Sequence, residues 1–383
     1  MRHYFTFVSV FLLFSQSLLI AQQKGESKYR GNEIVWEGIN ALYNEEHTRS
    51  VEILSNARED FPEHPVVHFV WAVSDWLRSQ AYEGAEASYV ILENDLDEIS
   101  KVYENLVKKY PEDPNYKLYL ASTFGMKARV SLGKKEWLGV LYDGFKGYRG
   151  VLTVHRDYPD LKDAYLPMGI LNFYVGYSFA IVKFFAGLLG MDADRDIGIS
   201  QIKEAAVHGE YSWVEAYGIL AWIYLWMTRE FELALPITDS LRNIYPNSVY
   251  FQYLYTESLI LTGRRKEAEK YLELVYSLAE SRPPASRKGW IPTLKYQSAY
   301  LKFLDGEFDI ALALITESIK EFNTELDTPL GFGYLLRGKV NDILGNREEA
   351  VSDYRSALRL NNYTWAMDEA KIYVKKPYQR TDD

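Results

Sequence analysis

The stretch GYLLRGKVNDILGNREEAVSDYRSALRL, Gly333 to Leu360, reads as two amphipathic helices joined by a tight turn. Apolar residues recur at helical spacing on both sides of Leu344-Gly345-Asn346, and neither half contains proline. Gly345 supplies the left-handed residue that ends a helix at little cost, and Ala350 lets the second helix come close to the first. Tyr334, Gly338, Tyr354 and Ala357 complete an alternation of large and small positions around that turn.

Working outward, the same glycine, four residues, alanine pattern recurs as Gly263 to Ala268 and Gly306 to Ala311, and a fourth copy has Arg229 in place of glycine before Ala234. The four starting positions are separated by 34, 43 and 39 residues. The longer intervals require insertions, and Ser281 to Gly289, with its paired prolines, reads as a loop between helices. Trp222 stands where such a repeat carries a small residue, so packing there is expected to be irregular. The earlier half carries a different mark, an aromatic followed by proline, at Phe61-Pro62, Tyr110-Pro111, Tyr158-Pro159 and Tyr245-Pro246. Proline lacks the N–H that would continue a helix, so each pair marks a helix stop. Residues from about Gly31 to Lys375 therefore read as stacked helix pairs.

On these residues, positions 192 to 370 resemble the tetratricopeptide-repeat superfamily, whose period is about 34 residues. The resemblance implies an all-α, tetratricopeptide-like α-solenoid of stacked helical hairpins. A weaker resemblance runs from Met168-Gly169-Ile170-Leu171-Asn172-Phe173 through Lys183-Phe184-Phe185 to Asp194-Arg195-Asp196-Ile197-Gly198. That block looks like the divergent tetratricopeptide family linked to inclusion-body clearance and mitochondrial outer-membrane association, which implies no enzyme activity and no cofactor. The expected organisation is a signal peptide at 1–21, divergent helical repeats at 22–190, tetratricopeptide repeats at 191–375 and a tail at 376–383.

Composition narrows the function. The 383 residues are 48% hydrophobic and carry a formal net charge of -10 with no long basic run, which argues against a phosphate-neutralising nucleic-acid surface. There is no cysteine, so thiolate zinc sites, cysteine nucleophiles, disulfides and a lipid on an N-terminal cysteine are excluded. Residues Met1 to Ala21, with Arg2 ahead of an apolar run, have the layout of a secretory leader, so an exported, periplasmic or envelope-associated protein is expected.

Signatures for phosphate loops, serine-hydrolase elbows and zinc helices are lacking. His64 and His68 have a metal-compatible spacing with no third ligand nearby, and Asp192 to Asp196 fits helix capping better than a calcium loop. Residues Ala164 to Met191 form the most apolar interior stretch. Pro167, its glycines and its polar residues favour two buried helices with a bend, and membrane-surface contact is the functional alternative.

In a curved hairpin stack the first helix of each pair lines the inner face. The glycine marks place Tyr250, Tyr253, Glu257, Tyr296, Tyr300, Phe303, Phe332 and Lys339 there, an aromatic groove with few charges. Tyrosine-rich surfaces suit an extended peptide or a carbohydrate, held by ring contacts and hydroxyl hydrogen bonds. The expectation is a non-enzymatic exported scaffold that binds proteins or peptides through this groove, needing no cofactor. The alternative is a module that binds an apolar ligand or a membrane surface through residues 164–191.

Overall fold

The computed structural model describes residues 27–134, 136–177 and 194–380. The expected leader and part of the 164–191 stretch, including Lys183-Phe184-Phe185, lie outside the described residues.

Among the described residues there are seventeen α-helices and no strand. They are α1 Asn32–Tyr43, α2 His47–Asp60, α3 Val67–Glu83, α4 Ala85–Lys109, α5 Pro114–Gly133, α6 Trp137–Asp157, α7 Tyr165–Tyr177, α8 Arg195–His208 and α9 Trp213–Ile223. Then follow α10 Phe231–Ile244, α11 Val249–Leu261, α12 Arg265–Glu280, α13 Pro284–Asp305, α14 Phe308–Glu321, α15 Thr328–Ile343, α16 Arg347–Leu360 and α17 Trp365–Tyr373. Neighbours pack as hairpins, with α1 on α2, α3 on α4, α5 on α6, α7 on α8, α11 on α12, α13 on α14 and α15 on α16. In the C-terminal unit the first helices of successive hairpins also touch, α11 to α13 to α15, so these three hairpins stack.

Both sequence marks correspond to a repeated turn. Gly263, Gly306 and Gly345 have φ of +77°, +83° and +84°, and Arg229 adopts the same left-handed conformation at +60°. After each glycine the next N–H reaches back five residues, from Arg264 to Leu259, Glu307 to Lys302 and Asn346 to Asn341, satisfying a carbonyl at the helix end. Ala234, Ala268, Ala311 and Ala350 are all fully buried. The aromatic-proline marks are equally regular: Phe61, Tyr110, Tyr158 and Tyr245 each follow the last helical residue, with φ between -133° and -120°. Each of their carbonyls then accepts the N–H three residues on, which reverses the chain before the next hairpin.

Three local readings change. The loop expected at Ser281 to Gly289 is shorter, because Pro284 begins α13. Proline is favoured in the first helical turn, where its missing N–H has no partner to lose, and the 22-residue α13 absorbs the long interval. The irregularity expected at Trp222 appears just beyond it as a π-helical turn, Tyr224–Thr228, so Glu230 N bonds six residues back to Tyr224.

The first hairpin, expected to be divergent, is in full repeat register. A Cβ on Gly38 would meet Leu54 at 2.5 Å, as one on Gly338 would meet Tyr354 at 2.5 Å. Glu45 takes the left-handed turn position at φ +58°, and buried Ser50 stands at the alanine position, its Oγ donating to Gly38 O.

The chain divides between Leu220 and Ala221, inside α9, into two compact units. The expected change of repeat type at 190/191 lies outside the described residues. In the N-terminal unit a core of Val35, Leu54, Leu92, Leu96 and Tyr103 extends to Tyr211, which stacks on Trp36 at 5.9 Å and donates its hydroxyl to Asn32. The α9 N-terminus is held by buried Asp163, whose Oδ1 accepts from Tyr211 N, Ser212 N and Ser212 Oγ. Asp194 caps α8 by accepting from Asp196 N and Ile197 N, the capping role expected of this acidic segment.

Candidate functional site

In the C-terminal unit the eight groove residues lie on α11, α13 and α15, the first helices of their hairpins. They do not form an open surface. Tyr253, Glu257, Tyr296, Phe303 and Phe332 are buried, while Tyr250, Tyr300 and Lys339 are partly exposed. The physical reason is that first helices pack against each other, and the chain's own C-terminal segment covers what remains.

Between α11 and α13 the buried set is a polar clamp. Gln297 Nε2 donates to Glu257 Oε2 at 2.9 Å and to Tyr253 O at 3.1 Å, while Tyr296 OH donates to Glu257 Oε1 at 3.3 Å. Burial pushes the Glu257 carboxyl up to about 7, with the hydrogen bonds from Gln297 and Tyr296 opposing the shift. Burial raises the Tyr253 and Tyr296 phenols too, so both stay neutral and Tyr296 keeps the proton it donates to Glu257.

The sign of the resulting pH effect follows from the raised value. Between the ordinary glutamate value and about 7 the folded chain keeps a proton that the unfolded chain has released, so stability falls as pH rises through that window. Glu257→Gln removes the titration while preserving shape. Unfolding in urea is expected to give matching stabilities for variant and parent at pH 5, and a variant more stable by about 2–3 kcal/mol at pH 8. A variant with no advantage at pH 8 would show that the carboxyl is not held neutral.

Residues 365–380 fold back over the first helices of the same unit. Trp365 Nε1 donates to Leu225 O at 2.8 Å, and its ring meets Phe332 edge-on at 4.4 Å. Glu369 is ion-paired to Lys339 at 2.5 Å and to Arg229 at 3.2 Å. Burial lowers the Lys339 ammonium, against the pull of Glu369. The expected tail is docked as far as it is described. Tyr378 N donates to Asp342 Oδ2, its ring contacts Phe303 at 6.0 Å, and Arg380 donates to Leu304 O.

One cleft of about 320 Å³ in this unit has walls that include Arg229, Arg265, Tyr300, Lys339, Trp365 and Glu369. Of the expected groove residues only Tyr300 and Lys339 reach it. Its lining holds three cations against the single carboxylate of Glu369, in a chain of net charge -10. Arg229, Arg265, Trp365 and Glu369 were not among the expected site residues. The available signal was Arg229 itself, a non-glycine residue at a left-handed position, where the backbone strain is on the order of 1 kcal/mol or more. Its side chain offsets that cost by pairing with Glu369 and lying 4.6 Å over the Trp365 ring.

Elsewhere, both paired histidines are buried and separately engaged. His68 bonds Pro62 O and Arg58, and His64 bonds Asn32. Burial takes the His64 imidazole down to about 4. Among the described residues no group of three metal-ligating side chains comes together.

Helical hairpins with these turns and this small-to-large register are tetratricopeptide repeats in architecture. No protein-family model matches the sequence, and no curated protein does. The chain is similar to several solved structures. One is a tetratricopeptide repeat protein from Parabacteroides merdae ATCC 43184, 14% identical, covering 90% of this chain and 97% of its own, with a TM-score of 0.33. Yeast Tom70 is 13% identical over 88% of both chains, at a TM-score of 0.39. The human IFIT1 dimer with m7Gppp-AAAA is 12% identical over 95% of this chain and 84% of its own, at 0.43. The architecture assigned here rests on the hairpins themselves.

Proposed function

We propose that the chain is an exported, non-enzymatic binding scaffold whose C-terminal unit takes an extended acidic segment of a partner protein in the cleft beside Arg229, Tyr300 and Trp365. The cleft's excess of cations over aromatic walls supports this reading above all else. An acidic peptide meets Arg229 and Arg265 at the surface, and its apolar side chains lie on the rings. The secretory layout of residues 1–21 supports export, and an absence of cysteine suits an oxidising compartment.

The reading is tested by fluorescence anisotropy with labelled acidic, basic and uncharged peptides of equal length. Acidic peptides are expected to bind most tightly, to weaken as salt rises, and to lose about tenfold in affinity on Arg265→Glu. Equal binding of acidic and basic peptides would overturn it.

A further inference from the structure

Helix α6 has an unusual division of its side chains. On the side toward α5 it presents glycine. A Cβ added to Gly147 would lie 2.8 Å from Gly125 N and 3.0 Å from Ala121 O, and one on Gly150 would lie 2.6 Å from Ala121 Cβ. The two backbones are therefore in contact, and no bulky side chain fits between them.

The large apolar residues of α6 stand on the outside. Leu138, Leu141, Tyr142 and Phe145 are 84%, 70%, 69% and 44% exposed, at the spacing that lines one face of a helix. Other large apolar residues exposed to this degree come singly along the described chain, which is ordinary for a protein surface. Four on one face are not ordinary. Lys146 and Arg149 continue the stripe, and neither is in an ion pair among the described residues. Lys146 Nζ lies 3.6 Å from the Phe124 ring centroid, and the Arg149 guanidinium lies 5.7 Å from that of Phe145. Asp143 lies off the apolar stripe but within electrostatic reach of Lys146, three residues on, and Glu136 precedes the stripe.

We propose that this face of α6 docks on an anionic membrane surface. Leu138, Leu141 and Phe145 enter the boundary between headgroups and acyl chains, Tyr142 lies at headgroup depth, and Lys146 and Arg149 meet lipid phosphates. Charge complementarity at this face favours this occupant: Lys146 and Arg149, in no ion pair among the described residues, flank the apolar stripe with local positive charge although the chain as a whole carries -10. The association is peripheral, since no helix among the described residues is long and apolar enough to cross a membrane. This proposal does not rest on peptide binding by the C-terminal unit.

The test is flotation of the full chain with phosphatidylcholine vesicles, with and without one third phosphatidylglycerol. The parent is expected to bind the anionic vesicles about tenfold more tightly than the neutral ones. Leu141→Glu/Phe145→Glu is expected to lose at least tenfold on anionic vesicles, while keeping the parent's helicity and melting temperature. Lys146→Glu/Arg149→Glu, which keeps Leu138, Leu141, Tyr142 and Phe145 in place, is expected to abolish the preference for anionic lipid. Comparing variants within the same chain cancels any contribution from residues 1–21. Equal flotation of parent and variants overturns the proposal. So does a lipid-free dimer, seen by light scattering, that Leu141→Glu/Phe145→Glu converts to monomer, because the face is then an interface between copies.

Discussion

Trp365→Ala is expected to destabilise the C-terminal unit by about 3–5 kcal/mol, the usual cost of emptying a large aromatic site in a core. The indole is buried, its N–H satisfies the Leu225 carbonyl, and its ring packs on Phe332 beneath the Arg229 guanidinium. Truncation leaves a cavity, an unsatisfied carbonyl and a strained Arg229 without its stacking partner. Trp365→Phe separates these effects in part, since it keeps one ring while removing the donor and the second fused ring. Its expected cost is about 1–3 kcal/mol. Urea unfolding gives the magnitudes, and hydrogen exchange locates them, with α17 and residues 374–380 expected to lose protection first. A loss under 1 kcal/mol in the alanine variant would mean that the C-terminal segment does not close this unit.

The second large effect belongs to the N-terminal unit. A Cβ on Gly198 would lie 2.6 Å from Phe173 N and 2.7 Å from Gly169 O, both backbone atoms of α7 that no rotamer change can move. Gly198→Val must push α8 off α7 and strain the Asn172 to Gln201 hydrogen bond. The expected cost is about 3 kcal/mol or more, beyond the ordinary range for mild overpacking because the obstacle is main chain. Gly125→Ala is the opposite control. Its Cβ meets nothing within 4 Å, so the higher helix propensity of alanine should stabilise by roughly 0.5–1 kcal/mol. Thermal melts of the two variants should move in opposite directions. A Gly198→Val melt matching the parent would mean that the α7 to α8 approach is looser than described.

Much of the fold was legible because its signals are local. A glycine before a buried alanine, or an aromatic before proline, specifies a turn through the few residues that form it. The first hairpin was expected as a helix pair, but its repeat register escaped notice because Glu45 and Ser50 satisfy the same geometry with other chemistry. Glu45 tolerates a left-handed φ at a surface turn, and Ser50 is small enough to be buried if its hydroxyl finds Gly38 O.

The candidate site was less legible for a different reason. Helical spacing assigns Tyr296 or Phe332 to a face, but it cannot say what will cover that face. Phe332 is covered by Trp365 and Lys339 is paired with Glu369, on a helix that no turn motif links to them. Arg229 was visible as a departure from glycine, and its purpose required knowing that Glu369 and Trp365 lie above it.

The Trp365 to Leu225 hydrogen bond spans 140 positions of sequence. Repeat arrays ordinarily gain stability one neighbour at a time, so early hairpins can settle while later ones are still being made. Here the last helix completes the unit that residues 224–229 begin, and a nascent chain halted before Trp365 leaves that unit without its closing piece. Closure of the C-terminal unit therefore waits until Trp365 has been made, and a chain halted earlier would present Phe332 and its neighbours to chaperones and proteases.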